Sequence, residues 1–342
     1  MTERRAPTRR EAIRFAAVAG IGLAFGGGGV AGLVRRGRLR RLRVTRIALG
    51  TAVTVTVVSS DAELAHSLVE IAFAEIERLE NILSRHRAGT AVYRLNQTGT
   101  VADPPPPLRE VVARALEYAA LTEGAFDVTV APLLELYTDR FARTGAPPSD
   151  DDIAAALSLL GWRNLRMTHD AIFLDRRGMA VTLDGIAKGY IVDRAVTALV
   201  ASGADHVLVG ASGDMATSGD AGTDEPWRIA LQHPRDARRD LGVLRLHGEA
   251  VASSGDYMQS FTPDYRFHHI LDPRTGRSPE RASAVSIIAR TAMDADALST
   301  AVFVLGPEAG SALLDRLDGI EGMVVTKEGG IITSAGFPNY TA

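Results

Sequence analysis

Asp296 and Thr300 stand four residues apart in Met293-Asp294-Ala295-Asp296-Ala297-Leu298-Ser299-Thr300-Ala301, a spacing that sets both on one helix face while Asp294 points elsewhere. A carboxylate and a hydroxyl so placed can hold a hard cation such as Mg2+, which completes its octahedron with water and substrate phosphates. Taken singly, an aspartate there is an ordinary helix-start residue favoured by the dipole. A second group, Val181-Thr182-Leu183-Asp184-Gly185-Ile186-Ala187-Lys188-Gly189-Tyr190, reads as a strand end, a carboxylate-glycine turn and a helix start with Lys188 one turn in. Free N–H groups at such a start favour phosphate, and the lysine adds a point charge. It is not a Walker loop, because the glycine spacing is wrong and no Ser or Thr follows the lysine; a plain turn with a solvated lysine fits equally well.

The third group is Arg266-Phe267-His268-His269-Ile270-Leu271-Asp272-Pro273-Arg274-Thr275-Gly276. Adjacent histidines on a strand face opposite sides, so one works alone as acid, base or phosphate donor, and a tight turn follows it. The ordinary alternative is a surface strand with two solvated imidazoles. In the fourth, Thr122-Glu123-Gly124-Ala125-Phe126-Asp127-Val128-Thr129, a glycine turn can lay an aromatic ring against a planar ligand that Asp127 hydrogen-bonds. On the residues alone, a helix C-cap leading into a strand is the better reading.

These groups need elements to carry them. Ala48 to Val58 alternates as a strand, and Asp61 opens an amphipathic helix to about Leu83. Val101 to Pro107 contains four successive prolines and reads as an extended loop before a helix over Leu108 to Thr122. Ser149 caps a helix running to about Leu160, short strands follow near Leu165, Ile172 and Val181, and a helix covers about Ala187 to Ala201. Val207 to Ile288 is mostly short strands. Met293 to Leu305 and Pro307 to Leu317 are helical, and Met323–Thr326 with Ile331–Ser334 form a closing hairpin around Gly329-Gly330. The pattern predicts one continuous α/β or α+β enzyme domain without internal repeats.

The 342 residues carry 38 Lys and Arg against 41 Asp and Glu, a net charge of −3, and no cysteine. The missing cysteines exclude disulfides, thiolate nucleophiles, Cys-ligated zinc or iron–sulfur clusters and a lipidated cysteine. The charge is uneven: residues 1–43 hold eleven Arg against Glu3 and Glu11, a local net of +9, which leaves −12 on the rest. An acidic domain speaks against general nucleic-acid binding. Between the arginine groups, Phe15 to Val34 is an uncharged run of twenty residues, and Thr8-Arg9-Arg10-Glu11-Ala12-Ile13 resembles a twin-arginine export signal. Residues 1–43 are therefore expected to be a signal or membrane anchor and 44–342 the domain. The protein is then exported, to the extracytoplasmic membrane face or to a secreted or periplasmic pool. The run is just long enough to span a bilayer and no small-x-small site precedes the second arginine cluster, so cleavage and anchoring both stay open. Arg35 to Arg43 can alternatively lie on anionic headgroups.

From about Leu49 onward the sequence resembles the ApbE family of FAD:protein FMN transferases. Its markers stand here in family order: Leu49-Gly50-Thr51; Leu83-Ser84-Arg85-His86-Arg87 with Leu95-Asn96; Gly124-Ala125-Phe126-Asp127 leading to Pro132; Asp184-Gly185-Ile186-Ala187-Lys188-Gly189-Tyr190; Gly213-Asp214; Ala252-Ser253-Ser254-Gly255-Asp256-Tyr257; His268 to Gly276; and Ala295 to Ala301. The resemblance implies a single α+β domain with mixed or antiparallel sheets and flanking helices. It implies Mg2+-dependent transfer of the FMN half of FAD to a Ser or Thr of a target protein, with release of AMP.

By the same resemblance the metal falls to Asp296, Thr300 and a backbone carbonyl at Gly185. The cofactor falls to Leu49, His86, Thr182, Asp184, Lys188, His269 and Ile270, with Ala125, Phe126 and Asp127 as the adenine-pocket segment. His269 is the candidate for activating the acceptor hydroxyl or steadying the phosphate, and Asp272 either orients the turn or shares that role. The sequence departs from the family at Thr182, where many relatives are acidic and Asp184, two positions on, is a possible substitute on the same strand face. It departs again at Leu49 for Met, at His86 for an aromatic, and at Gly210-Ala211-Ser212, which lacks an Asn. The target is expected to carry an Asp-Gly-x-Ser/Thr-Gly-Ala-Thr-like acceptor motif, which this chain lacks. An FAD carrier, or a pyrophosphatase giving FMN and AMP, is the alternative the same metal site can serve.

Overall fold

A computed structural model describes residues 39–222 and 224–337. Strands β1 (Arg40–Ala48) and β2 (Thr51–Ser59) form an antiparallel hairpin with Arg40 opposite Ser59 and Ala48 opposite Thr51. Its two-residue turn puts Leu49 at φ +53° and Gly50 at φ +71°, the positive-φ pair that a tight hairpin needs, and Leu49 bears the strain a glycine escapes. The strand expected over Ala48 to Val58 thus begins only at Thr51. Arg40, Arg41 and Arg43, grouped by charge with the leader, lie within β1; Arg41 donates to the Ala221 carbonyl at 3.2 Å and lies over the Trp227 ring. The folded unit therefore begins before Val44. The twin arginines and the uncharged run lie outside the described residues, among which no helix is long and apolar enough to cross a membrane.

Helix α1 (Ala62–Leu83) follows, capped by Asp61, whose side chain accepts from the N–H groups of Glu63 and Leu64. After it come α2 (Ala91–Thr98), β3 (Thr100–Ala102), α3 (Pro106–Leu121), α4 (Ala131–Thr144) and α5 (Asp150–Leu157). Pro106 and Pro107 belong to the first turn of α3, where a proline loses no helical hydrogen bond, and do not extend the preceding loop. Strands β4 (Leu165–Met167) and β5 (Ala171–Leu174) join β3 in a small sheet of order β3-β5-β4. Val181, expected in a strand, is in none.

Helix α6 (Ala187–Ala201) leads into β6 (His206–Ala211), β7 (Asp214–Ser218), β8 (Trp227–His233), β9 (Asp236–Leu246), β10 (Ala250–Gly255) and β11 (Ala282–Ala289). Then come α7 (Ala292–Leu305), α8 (Pro307–Leu314) and the closing hairpin β12 (Glu321–Thr326) and β13 (Ile331–Thr333). The main sheet has the order β1-β2-β6-β7-β10-β11-β12-β13, with every neighbouring pair antiparallel.

Both faces of this sheet are covered, which is why β11 is buried along its whole length. Alternate side chains serve different cores. Val285 and Ile287 join α1, α6 and α7 on one face, while Ala284 and Ile288 meet Trp227, Ile229 and Leu244 of the β8–β9 hairpin on the other. Helix α7 sits between the sheet, α6 and α8, so nearly every residue from Ala295 to Val304 is buried. Polar groups on so buried a helix must find partners, and that requirement shapes the site.

Candidate active site

Helix α6 starts at Ile186 without a side-chain cap, and the N–H of Gly189 is taken by Asp296 Oδ2 on α7 at 3.2 Å. In return Asp193 on α6 accepts from the first N–H groups of α7, Ala292 at 2.8 Å and Met293 at 2.9 Å. The helices approach this closely because Gly189 has no side chain: a Cβ there would lie 2.1 Å from the Ala292 carbonyl oxygen. Burial pushes the Asp193 carboxyl up to about 7.

Lys188, on the next position of α6, donates to the Asp184 carbonyl at 2.9 Å; its Nζ lies 3.0 Å from Asp214 Oδ2 and 3.7 Å from Asp296 Oδ2. Burial alone lowers a lysine pKa, yet the carboxylates of Asp214 and Asp296 outweigh it and the ammonium is held charged. Burial, reinforced by Asp214, pushes Asp296 upward, and burial pushes Asp214 the same way. Asp214 Oδ2 is buried with no aligned hydrogen bond, the ion pair notwithstanding.

Gly185 and Thr300 meet directly above this cluster. A Cβ on Gly185 would stand 3.1 Å from Thr300 Oγ1 and 3.5 Å from the Phe126 ring, so the glycine keeps open the space where its backbone faces the hydroxyl. Ser254 Oγ lies 3.3 Å from Thr300 Oγ1 and 2.8 Å from Ser299 Oγ. Two buried carboxylates sharing one ammonium are costly to keep both ionised, a state that a proton or a further cation relieves. Among the described residues no three His, Cys, Asp or Glu side chains form a metal-ligating group. Asp296, the Thr300 hydroxyl and nearby backbone oxygen could hold a hard cation only if it keeps waters or phosphate oxygens of its own.

His269 approaches from the segment after β10, and Lys188 and Asp184 both act on it electrostatically. Its N–H and its Nδ1 both meet the Gln259 carbonyl, at 3.0 and 3.1 Å. A carbonyl only accepts, so Nδ1 carries the proton and Nε2 keeps its lone pair. Burial pushes the imidazole down to about 4, so it is neutral at neutral pH. Neither histidine belongs to a regular strand; His268 makes a single bridge with Ser260 and turns inward, its Nε2 3.2 Å from the Pro279 carbonyl and its ring edge-on to Phe303.

The other sequence-predicted residues have partners of their own. Asp272 binds its own turn: Oδ1 accepts from Arg274 N and Nε and Oδ2 from Arg274 Nη2, each at 2.9 Å, which gives it the turn-orienting role. Gly276 closes that turn at φ +72°, its carbonyl held by Tyr137 Oη at 2.9 Å. Asp127 accepts from the Thr129 N–H and hydroxyl on Oδ1 and from the Trp162 N–H on Oδ2, so this buried carboxylate braces its own turn. A short 3-10 turn, Val128–Val130, follows it in place of a strand. Ala125 and Ile270 are buried, Leu49 is the strained hairpin residue, and exposed His86 acts on Asp184 from the loop after α1.

Thr182 and Asp184 do not share a strand face, because the segment is irregular: Thr182 is buried, with Oγ1 accepting from the Asp184 N–H at 3.2 Å, while the Asp184 carboxylate reaches outward to Arg85 at 3.1 Å. Although its position disfavours charge, Arg85, Thr182 and His86 together hold that carboxyl below the ordinary value. The roles of Asp214, Arg85, Gln259 and Asn96 were not foreseen. Asn96 binds Val181 on both backbone sides, N–H at 2.7 Å and carbonyl at 2.8 Å, replacing a neighbouring strand. Asp214 carried one usable signal, its place in the Gly213-Asp214 pair of the family-order motifs, and it opens β7.

The ApbE family model matches residues 49–324. The chain is 29% identical over 293 residues to the FAD:protein FMN transferase of Escherichia coli K12, covering 82% of this chain and 83% of that one. It is 30% identical to the protein of the same name from Treponema pallidum, covering 90% and 91%. The fold superposes on the crystal structure of the ApbE protein of Thermotoga maritima with a TM-score of 0.80 at 29% identity, over 89% of this chain and all (100%) of that one. It also superposes on the apo flavinyl transferase ApbE of Pseudomonas stutzeri with a TM-score of 0.77 at 33% identity, over 89% and 97%. With its motifs in family order on that fold, the chain belongs to the ApbE family.

Proposed function

We propose that this chain transfers the FMN half of FAD to a serine or threonine hydroxyl of a target protein and releases AMP. The observation that carries the reading is the convergence of Lys188, Asp214, Asp296 and Thr300 beside an imidazole whose Nε2 lone pair is free. The acceptor oxygen bonds to the phosphorus of the FMN half as the bond from that phosphorus to the bridging oxygen breaks, and AMP leaves with that oxygen. The hydroxyl proton passes to His269 Nε2, which a neutral imidazole accepts without prior deprotonation. Lys188, fixed by Asp214 and the Asp184 carbonyl, presents its charge to the pyrophosphate, and the buried Phe126 ring packs next to Gly185.

Asp296, Thr300 and the Gly185 carbonyl would hold Mg2+, which would supply positive charge against what develops on the leaving phosphate. The arginine-rich leader supports a target outside the cytoplasm, reached by a twin-arginine-like route, with the uncharged run as leader or anchor. The test is to incubate the purified chain with FAD, Mg2+ and a domain carrying an Asp-Gly-x-Ser/Thr-Gly-Ala-Thr-like motif and to look for a mass gain of one FMN. AMP released without a target marks a hydrolase, and FAD bound without turnover marks a carrier; either outcome, with no adduct, sinks the proposal.

A further inference from the structure

Asp256 is fully buried directly after β10, a position where a lone carboxylate is costly. Two cations from different parts of the chain meet it. Arg235, in the turn between β8 and β9, forms a bidentate pair with both oxygens at 2.7 Å, and Lys327, directly after β12, reaches Oδ2. Both cations also grip the far end of the loop that Asp256 opens: Lys327 donates to the Tyr265 carbonyl at 2.8 Å, and the Arg235 guanidinium lies over the Tyr265 ring at 4.3 Å. One charge cluster thus pins residues 256 and 265. The loop between them contains Gln259, whose carbonyl meets both N–H and Nδ1 of His269. Buried ion clusters stabilise little compared with apolar packing of the same volume, and their best use is fixing one geometry among several.

We infer that Asp256, held by Arg235 and Lys327, is a positioning residue for the transfer reaction: it fixes the Gln259 carbonyl and through it the tautomer and aim of His269. This rests on the reading of His269 as the group that takes the hydroxyl proton. Arg235 is the informative position to change, because its side chain is 31% exposed and leaves the carboxylate one remaining cation. In the full chain with FAD, Mg2+ and an acceptor domain, Arg235→Ala is expected to lower kcat for flavinylation about tenfold or more, as small misplacements of a reacting group do. KM for FAD should stay within about threefold, since FAD binding groups are untouched. Arg235→Lys should recover part of kcat and part of the stability that Arg235→Ala loses, and thermal melts should show both variants folded at the assay temperature.

The second readout is the ring nitrogen NMR shifts of His269, expected to show a single Nδ1–H tautomer in the parent and a mixture in Arg235→Ala. A folded Arg235→Ala with unchanged kcat and an unchanged tautomer overturns the inference, as does a rise in KM alone. Failure of the underlying reading looks different: His269→Gln then keeps full turnover, and the tautomer measurement by itself decides whether the cluster positions the ring.

Discussion

Asp193 and Asp296 cap each other's helices: each carboxylate leaves its own helix and accepts from the opening N–H groups of the other. The exchange explains how Asp296 is held rigidly within a buried site, and it gives the two aspartates separable roles. Asp193 has both oxygens occupied by backbone, whereas Asp296 has only Oδ2 so engaged.

Replacing Asp296 by Ala should therefore abolish most Mg2+-dependent turnover, about a hundredfold or more, while costing only the ~1 kcal/mol of a lost cap. Asp193→Ala should do the reverse, with a stability loss of about 1–2 kcal/mol and Mg2+ dependence retained. Turnover titrated with Mg2+ and urea midpoints on the same preparations separate the two; parallel losses in Asp296→Ala would make that residue structural.

Gly185→Ala places a methyl 3.1 Å from Thr300 Oγ1, a contact that fills the gap between hydroxyl and backbone without meeting a rigid wall. The variant is expected to fold with a melting temperature close to the parent and to need several-fold more Mg2+ for half-maximal activity. An unchanged Mg2+ requirement would remove Gly185 from the cation site.

Lys188→Met leaves Asp214 and Asp296 buried without their ammonium, and breaking such a cluster from one side costs about 3–5 kcal/mol. Added Mg2+ should restore part of that loss, since a ligand that binds only the folded state stabilises it by mass action. Thermal melts in chelator and in Mg2+ measure the difference, which should be larger in the variant than in the parent.

Burial lowers His268 to about 3 and His269 to about 4, so below the ordinary imidazole value of about 6.5 the unfolded chain takes up protons that the folded chain refuses. Their contribution to stability is full above that value and is lost as pH falls through it, by up to about 1.4 kcal/mol per pH unit for each ring. Asp193, raised to about 7 by burial, acts in the opposite sense over the same range. The comparison that isolates His268 is thus parent against His268→Leu, in urea melts at pH 7.5 and pH 5. The gap between them should narrow at the lower pH, and a constant gap would mean His268 titrates normally.

Much of the fold was legible because its signals are local. The Asp61 and Ser149 caps, the helix Ala187–Ala201 and the hairpin around Gly329-Gly330 each follow from neighbours in sequence. The four-residue spacing of Asp296 and Thr300 on one helix, and the glycine turn before Lys188, were legible because both are local. The unforeseen parts depend on partners far along the chain. Val181 has strand-like backbone bonds, yet its partner is the Asn96 side chain, 85 residues away. Asp127 is braced by Trp162, 35 residues on, a contact that no local pattern announces. Helix α4 was missed because it starts behind a 3-10 turn with no side-chain cap to announce it.

The order of strands in the main sheet also sets a timetable. Strand β2 has β1 on one side as soon as the hairpin closes, but its other neighbour is β6, with Val53 opposite Ala211. About 150 residues must be synthesised before that partner exists, roughly ten to thirty seconds at ordinary elongation rates. Until then the hairpin presents an open, valine-rich edge of the kind that pairs with strangers. Helix α1, made directly after it and packed on β2 in the finished fold, is in time to cover its face but not its edge.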